Sequence, residues 1–237
     1  MRRLLIAVVV LAALLVLADR VGVVLAERAL ADQVRTEMDL QQTPTVSIRG
    51  IPFLTQALRG RYQEVRVELP DVDSGQLQNV GVHARLLGVH APLGKVLRRQ
   101  LDEVPVDRIT AELTIGYAEL ARASGVSGLR ITRAGDALRL SGSVQVLGRQ
   151  LDASAVGRVQ VVGDDIVITA ERAEIGGVEV PQAVLDVAAR LLSFRVTPRG
   201  LPLSLRITGV RIGDTSLEVT AVSDDAVLRP DELPTGR

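Results

Sequence analysis

The chain has 237 residues, of which 47% are hydrophobic, and this is enough apolar material to bury a sizeable core. The 28 Lys and Arg residues balance the 28 Asp and Glu residues, so no strong net field attracts nucleic acid or concentrates an anionic substrate. Two Phe, two Tyr and no Trp leave few rings to stack on sugars or single-stranded bases. The absence of cysteine excludes disulfides, thiolate metal sites and a cysteine nucleophile.

The N-terminus carries the clearest signal in the sequence. Arg2 and Arg3 precede an uninterrupted apolar run over residues 4–18, a pattern typical of a signal peptide or a signal anchor. As a helix the run covers about 22 Å, which is short of a hydrocarbon core of about 30 Å. Ala29 and Ala31 have the spacing of a cleavage site but lie far beyond the run, so we favour an uncleaved anchor over residues 1–18. The arginines before the run predict that the rest of the chain lies on the extracytoplasmic side of the cell membrane, or is secreted into the envelope if the segment is cleaved.

Residues 19–43 are predicted to form an amphipathic helix followed by a linker. Apolar residues at helical spacing fall within one arc about 120° wide, and charged residues lie opposite. The arc consists of Val23, Ala26, Leu30, Val34 and Met38, and the opposite side of Arg28, Asp32 and Arg35. Glu27 and Glu37 interrupt the apolar arc, as expected of a helix that leaves a membrane and docks on the edge of a domain.

Residues 44–228 are predicted to form one α+β domain, and residues 229–237 a flexible tail. Apolar residues alternate with polar ones in a succession of short segments, which indicates strands that have one apolar face. The segments are residues 65–69, 80–86, 109–115, 138–140, 144–146, 159–161, 166–168, 203–207 and 217–219. Turn residues at 73–75, 134–136, 163–165, 176–177 and 213–214 separate them, so we predict a largely antiparallel sheet.

Four short segments are candidate helices that could cover the apolar face of this sheet. They are residues 53–58, 96–101, 117–123 and 182–192. The last has the widest apolar face and follows Pro181, a residue well tolerated at the first position of a helix.

No signature of catalysis or metal binding is found in the sequence. The motifs G-x-S-x-G, G-x-x-x-x-G-K-[ST], G-x-G-x-x-G and H-E-x-x-H do not occur. His83 and His90 lack a third ligand for zinc, and Gly88 is predicted to break the strand that carries them. Residues 71–75 resemble the start of a calcium loop, but Val82 occupies the position of the bidentate glutamate. We therefore predict no catalytic residues, no metal site and no cofactor.

The segment over residues 46–62 contains half of the Phe and Tyr residues of the chain. Gly50 and Pro52 interrupt the strand pattern, and apolar side chains then cluster within about two helical turns. Two interpretations are open. The segment is either a strand-to-helix corner that packs into the core, or an apolar lip at the mouth of a lipid cavity.

Gly50-Ile51-Pro52-Phe53-Leu54-Thr55-Gln56 together with Gly60-Arg61-Tyr62 resembles the actinobacterial LmeA-like phospholipid-binding family, the relatives of a lipomannan elongation factor. Shorter matches occur at Asp19-Arg20, Val104-Pro105-Val106, Tyr117-Ala118-Glu119-Leu120 and Leu201-Pro202-Leu203. The resemblance implies a tubular lipid-binding-like fold, in which a long curved sheet wraps around a helix. It also implies extracytoplasmic binding of phospholipid in an apolar groove, in support of cell-envelope lipid or lipoglycan assembly.

A groove for acyl chains needs only aliphatic walls, since each buried CH₂ group contributes about 0.8 kcal/mol. We predict that phospholipid contacts Ile51, Phe53, Leu54, Leu58, Tyr62, Val65, Val67, Val184, Val187 and Leu191. Arg59, Arg61 and Arg66 are candidates to meet a lipid phosphate at the rim. The predicted partners are membrane phospholipid and the membrane itself, and not nucleic acid. The alternatives are an envelope scaffolding domain, which predicts a large exposed apolar patch, and an enzyme that acts on lipid-linked glycans.

Overall fold

The computed structural model of the chain describes residues 1–74, 77–97, 103–146, 149–163, 165–175, 177–179, 194–196 and 205–229. Its helices are α1 (Arg2–Glu37), α2 (Phe53–Arg59), α3 (Leu93–Leu97) and α4 (Tyr117–Ala123). Its strands are β1 (Thr45–Arg49), β2 (Arg61–Ser74), β3 (Leu77–His90), β4 (Val104–Gly116), β5 (Arg130–Ala134), β6 (Ala137–Val146), β7 (Arg149–Val162), β8 (Asp165–Ile175), β9 (Val178–Glu179), β10 (Phe194–Val196), β11 (Arg206–Ile212) and β12 (Ser216–Leu228).

The strands form two sheets. The first has the order β1-β2-β3-β4-β12-β11, and the second has the order β10-β8-β7-β6-β5 with β9 also paired to β8. The pairs β1–β2, β11–β12, β5–β6, β6–β7, β7–β8, β8–β9 and β8–β10 are antiparallel. The predicted α+β class with mainly antiparallel sheets is thus confirmed. The helix predicted over residues 182–192 lies outside the described residues.

Helix α1 joins the apolar run and the amphipathic segment without a break. Its 36 residues rise about 54 Å, and it is long and apolar enough to cross a membrane. The side chains of residues 4–17 are exposed, whereas the predicted arc from Val23 to Met38 is partly or wholly buried. Arg28, Asp32 and Arg35 are exposed on the other side, as the helical period predicts.

Contacts divide the chain into two compact units. Unit 1 comprises Met1–Leu69, His83–Thr110 and Ser223–Arg237, and therefore contains α1, β1, α2 and α3. Buried aliphatic residues of β1, β2, β3 and β4 form much of its core. The main contributors are Val46, Val65, Leu69, Leu86, Val89, Val106 and Ile109.

Unit 2 comprises Pro70–Val82 and Ala111–Val222. In its antiparallel sheet, Leu138 and Leu140 of β6 are buried with Ile166 and Ile168 of β8, while alternate positions are more exposed. Gly157 lies between these strands at a shift of register, and a Cβ atom there would be 3.1 Å from Cγ2 of Ile168. Period-two alternation therefore predicted the buried face of this sheet correctly.

Two of the predicted turns are observed in full. Residues 134–136 connect β5 to β6, where Ala134 pairs with Ala137, and residues 213–214 lie between β11 and β12, where the Gly213 N–H donates to the Ser216 carbonyl at 2.9 Å. The predicted break at Gly88 is wrong, because β3 continues through this residue to His90. Gly88 adopts a φ of +62°, which allows the strand to bend locally without ending.

Replacement of Gly88 by alanine is expected to destabilise the fold. The new Cβ atom would lie 2.0 Å from Oδ2 of Asp107, and the positive φ costs a residue with a side chain about 1–2 kcal/mol. We expect Gly88→Ala to lower the thermal unfolding midpoint, followed by circular dichroism in detergent. Gly209→Ala in β11 is the matched control, because no atom lies within 4 Å of its added Cβ. Equal midpoints for the two variants would contradict the steric argument.

Candidate functional site

Helix α2 sits between two glycine corners in unit 1. Gly50 has a φ of +108°, and a Cβ atom there would lie 2.7 Å from Nε2 of Gln56. Gly60 ends the helix in the left-handed conformation, and a Cβ atom there would lie 2.7 Å from Cα of Pro92. Both corners therefore exclude side chains, and this fixes how the chain enters and leaves α2.

The side-chain amide of Gln56 braces the same corner from inside. Gln56 is buried, and its Oε1 atom accepts a hydrogen bond of 2.8 Å from the backbone N–H of Gln63 at the start of β2. Its Nε2 atom is buried without a hydrogen-bond partner among the described residues. In the segment over residues 50–62, most of these contacts thus fix the path of the backbone.

The predicted lipid-contacting residues divide into an inner and an outer group. Phe53 and Tyr62 are buried with ring centroids 6.2 Å apart, and Val65 of β2 is also buried. Leu54 and Val67 are half-buried. Ile51 and Leu58 are 74% and 78% exposed. Val184, Val187 and Leu191 lie outside the described residues.

This division is consistent with a strand-to-helix corner for the inner group, whereas the apolar lip at a lipid cavity stays a prediction. Phe53 and Tyr62 pack as a strand-to-helix corner does, because their rings face each other and the core. Ile51 and Leu58 remain on the surface, as an apolar lip requires.

The strand pair β1–β2 separates apolar from charged side chains. Val46 pairs with Val67 and Ile48 pairs with Val65, so one face is aliphatic. On the other face Glu64 accepts a hydrogen bond from Arg66 and lies 3.4 Å from Nε of Arg85. The hydrogen bond from Arg66, together with the positive charges around it, holds the pKa of the Glu64 carboxyl below its ordinary value of 4.5.

The predicted rim arginines differ in their pairing. Arg66 is paired with Glu64, and Arg61 lies 3.0 Å from Oδ2 of Asp107. Arg59 is exposed and forms no ion pair within the part of the chain that the structure describes. Arg59 is therefore the one of the three that is most available to a phosphate group.

Helix α1 is fixed to α2 by the carboxylate of Asp19, which is only 5% exposed. Pro52, at the N-cap of α2, provides no side-chain acceptor for the first N–H groups of that helix. Oδ1 of Asp19 accepts a hydrogen bond of 2.8 Å from the N–H of Leu54, and Oδ2 pairs with Arg20 at 3.0 Å. A carboxylate is also favourable at the positive end of a helix.

Two further contacts extend this interface along α1. Gly22 faces Phe53 and Leu54 closely enough that a Cβ atom would touch both at about 3.5 Å. Oε1 of Glu27 accepts a hydrogen bond of 2.8 Å from the N–H of Ile48 in β1, which is the edge strand of its sheet. The interruption of the apolar arc by Glu27 therefore has a structural role that helical periodicity alone does not reveal.

The model of the LmeA-like phospholipid-binding family matches residues 17–222, which is most of the chain. The chain belongs to this family. The matched range begins at the end of the apolar run and includes Asp19, Gly22 and Glu27. No curated protein and no solved structure matched the chain.

Membership of the LmeA-like family confirms the resemblance seen in residues 50–62 and supports phospholipid as the class of ligand. The family match does not identify the residues that contact the lipid, so the ten positions named from the sequence stay predictions.

A cleft of about 450 Å³ in unit 2 is lined by several charged and hydroxyl side chains. It lies on strands β5 to β8, and its lining includes Arg130, Ser141, Asp152, Ser154 and Glu174. These residues lie on the face of the sheet opposite to its aliphatic core.

The histidines of this LmeA-like chain take part in carboxylate pairs on the surface of unit 1. Nε2 of His90 lies 3.2 Å from Oδ1 of Asp107, and Nδ1 of His83 lies 4.0 Å from Oε1 of Glu68. Within the described ranges, no group of three or more His, Asp or Glu residues could hold a metal ion.

Removal of the Asp19 carboxylate is expected to weaken the attachment of α2. Asp19→Ala leaves the Leu54 N–H without its acceptor, and loss of a capping acceptor costs about 1 kcal/mol. Asp19→Asn keeps an acceptor oxygen and should cost less. Asp32→Ala, on the exposed side of the same helix, is the matched control. Thermal midpoints in detergent measure all three, and equal midpoints for Asp19→Ala and Asp32→Ala would refute the capping role.

The two tyrosines are expected to titrate above pH 10 in the folded chain. Burial raises the pKa of the Tyr62 phenol above 10.0, and burial is also the main cause of the raised pKa of Tyr117. The unfolded chain releases these protons at about pH 10, whereas the folded chain holds them to higher pH. The free energy of unfolding should therefore have its full value below pH 10 and decrease as the pH rises above it. Since the chain lacks Trp, phenolate absorbance reports Tyr62 and Tyr117 alone.

Single substitutions separate the two phenols. Tyr62→Phe should reduce the alkaline loss of stability and leave the absorbance change of Tyr117. Tyr117→Phe should also lower stability at neutral pH by about 1 kcal/mol, because the Tyr117 hydroxyl donates a hydrogen bond of 2.6 Å to the Gly213 carbonyl. A titration midpoint at or below pH 10 for either phenol in the folded chain would contradict the effect of burial.

Proposed function

We propose that this chain is a membrane-anchored phospholipid-binding protein whose domain lies on the extracytoplasmic side and serves cell-envelope lipid or lipoglycan assembly. One observation carries the proposal. The apolar helix α1 continues without a break into a domain of a phospholipid-binding family and is hydrogen-bonded to it at Leu54 and Ile48.

The interface of α1 supports an anchor that is retained. Cleavage after Ala31 would remove Asp19 and Glu27, and both the Leu54 and the Ile48 N–H groups would lose their acceptors. Ala31 itself is buried against the domain. A helix that is part of the fold in this way is more consistent with a signal anchor than with a signal peptide.

The charges at the start of α1 support the extracytoplasmic location. Arg2 and Arg3 precede the apolar segment, and arginines that flank a span stay on the cytoplasmic side. The domain that follows α1 then faces outward.

Binding without catalysis is supported by the character of the interior. The buried faces of β1 to β4 are aliphatic, and such faces suit acyl chains, for which each buried CH₂ group contributes about 0.8 kcal/mol. The motifs G-x-S-x-G, G-x-x-x-x-G-K-[ST], G-x-G-x-x-G and H-E-x-x-H do not occur in the sequence. A binding protein held at the membrane is well placed to present phospholipid to the reactions that build the envelope.

Native mass spectrometry of the full chain, extracted from membranes in mild detergent, tests the proposal. We expect an intact mass that includes residues 1–18, together with additional masses of bound phospholipid. A chain that begins after residue 18 or residue 31 would overturn the anchor, and a chain that stays free of phospholipid would overturn the binding function.

Two matched variants test whether the aliphatic face of β1–β2 holds the lipid. Val67→Asp places a charge on this face, whereas Ser47→Asp places the same charge on the opposite face, where Ser47 pairs with Arg66. We expect Val67→Asp to lower phospholipid occupancy several-fold and Ser47→Asp to leave it unchanged, with folding of both checked by circular dichroism. Equal occupancy would place the lipid elsewhere.

A further inference from the structure

The exposed apolar side of α1 extends beyond Asp19. Val21, Val24 and Leu25 follow Asp19 in the helix, and all three are exposed, Leu25 by 59%. From Leu4 to Leu25 the helix rises about 33 Å, which matches a hydrocarbon core of about 30 Å with a small tilt. The first 15 apolar residues alone are too short, so these exposed side chains complete the span on the side of α1 that the domain leaves open.

The opposite side of the same helical turns holds α2. Asp19 lies about 9 Å before Leu25 along the helix axis, and its carboxylate is 2.8 Å from the backbone of α2. If Leu25 lies at the edge of the hydrocarbon core, α2 lies at the boundary between headgroups and acyl chains. Helices that lie in this interface bury their apolar face to a depth of about 5–10 Å.

The side chains that α2 and α3 present fit this environment. Ile51 and Leu58 are more than 70% exposed, and Val96 of α3 is partly exposed. The two helices are joined at the Gly60 corner, where the Gly60 carbonyl accepts a hydrogen bond of 2.9 Å from the Ala91 N–H. We call the exposed side chains of Ile51, Leu58, Arg59, Lys95 and Val96 the α2–α3 surface.

The two charged side chains of the α2–α3 surface, Arg59 and Lys95, are both cationic, although the whole chain is neutral. Within unit 1, residues 40–63 contain three Arg and no Asp or Glu, and residues 83–97 contain one Arg, one Lys and no Asp or Glu. Arg59 and Lys95 are exposed, and neither forms an ion pair within the described ranges. Arg61 is partly neutralised by Asp107 of β4. Exposed cations of this kind are attracted to anionic headgroups.

We propose that the α2–α3 surface is immersed in the extracytoplasmic leaflet of the membrane, with Ile51, Leu58 and Val96 among the upper acyl chains and Arg59 and Lys95 at anionic phospholipid headgroups. The inference rests on the proposed function, because it requires that α1 is retained as an anchor. It adds that the domain meets the leaflet through a specific surface, so that the corner which contains Phe53 and Tyr62 lies directly at its source of lipid.

Site-directed fluorescence on the full chain tests this inference, since the absence of cysteine permits a single label at any position. An environment-sensitive probe is attached to Leu58→Cys, to Val96→Cys or to the control Arg35→Cys. Arg35 is exposed on α1 about 24 Å beyond Asp19 and should lie well outside the leaflet. The proteins are reconstituted in vesicles of phosphatidylcholine with phosphatidylglycerol.

We expect quenchers carried on lipid to quench the probes at positions 58 and 96 several-fold more than the probe at position 35, and aqueous iodide to show the opposite order. The double variant Arg59→Gln, Lys95→Gln should reduce the lipid quenching at position 58 to the level found in vesicles of phosphatidylcholine alone. Equal access of iodide to positions 58 and 35 would overturn the inference. Protection of position 58 from both quenchers would also overturn it, in favour of a protein partner.

The failure of this inference and the failure of the proposed function are distinguishable. A chain that carries phospholipid and residues 1–18 in native mass spectrometry, but whose probe at position 58 is open to iodide, overturns the leaflet contact alone. A chain without phospholipid overturns the proposed function, whatever the probes report.

Discussion

The hydrogen bond between the Asp19 carboxylate and the Leu54 N–H is the contact on which the arrangement of unit 1 depends. An acidic residue at the end of an apolar run is costly unless its charge is partnered, and an uncapped helix start leaves N–H groups without acceptors. The Asp19 carboxylate accepts the hydrogen bond of the Leu54 N–H, so a single contact satisfies both the buried charge and the uncapped start of the helix. Because Glu27 bonds to Ile48 two turns later, α1 is held at both α2 and β1 and cannot rotate about its axis without breaking one of these bonds.

The segment over residues 50–62, which carries the resemblance to the family, contains residues that shape the backbone and few polar groups placed to act on a ligand. Gly50 and Gly60 keep side chains out of two close approaches, and Gln56 holds the start of β2. A ligand composed mostly of CH₂ groups requires shape and aliphatic walls, and few directed hydrogen bonds. If phospholipid binds at the α2 corner as we propose, residues that set the path of the backbone are the ones that this corner has to specify.

The neutral total charge conceals a local asymmetry. Equal numbers of acidic and basic residues exclude a strong electrostatic field over the whole molecule. A membrane, however, interacts only with charges within about a Debye length of its surface. The acid-free segments over residues 40–63 and 83–97 of unit 1 are joined where the Ala91 N–H donates to the Gly60 carbonyl. Arg59 of α2 and Lys95 of α3, which are far apart in the sequence, thus lie on helices that this hydrogen bond joins.

The sequence by itself determined the α+β class, the apolar face of α1 and the buried faces of the strands, because periods of 3.6 and 2 follow from the backbone geometry of single elements. It also determined the family, through the residues at the α2 corner. Only the tertiary structure decided that Asp19 and Glu27 are hydrogen-bonded across the interface, that β3 continues through Gly88, and that Phe53 turns inward while Leu58 stays exposed. Each of these depends on which residues from distant parts of the chain become neighbours, and no local pattern encodes that.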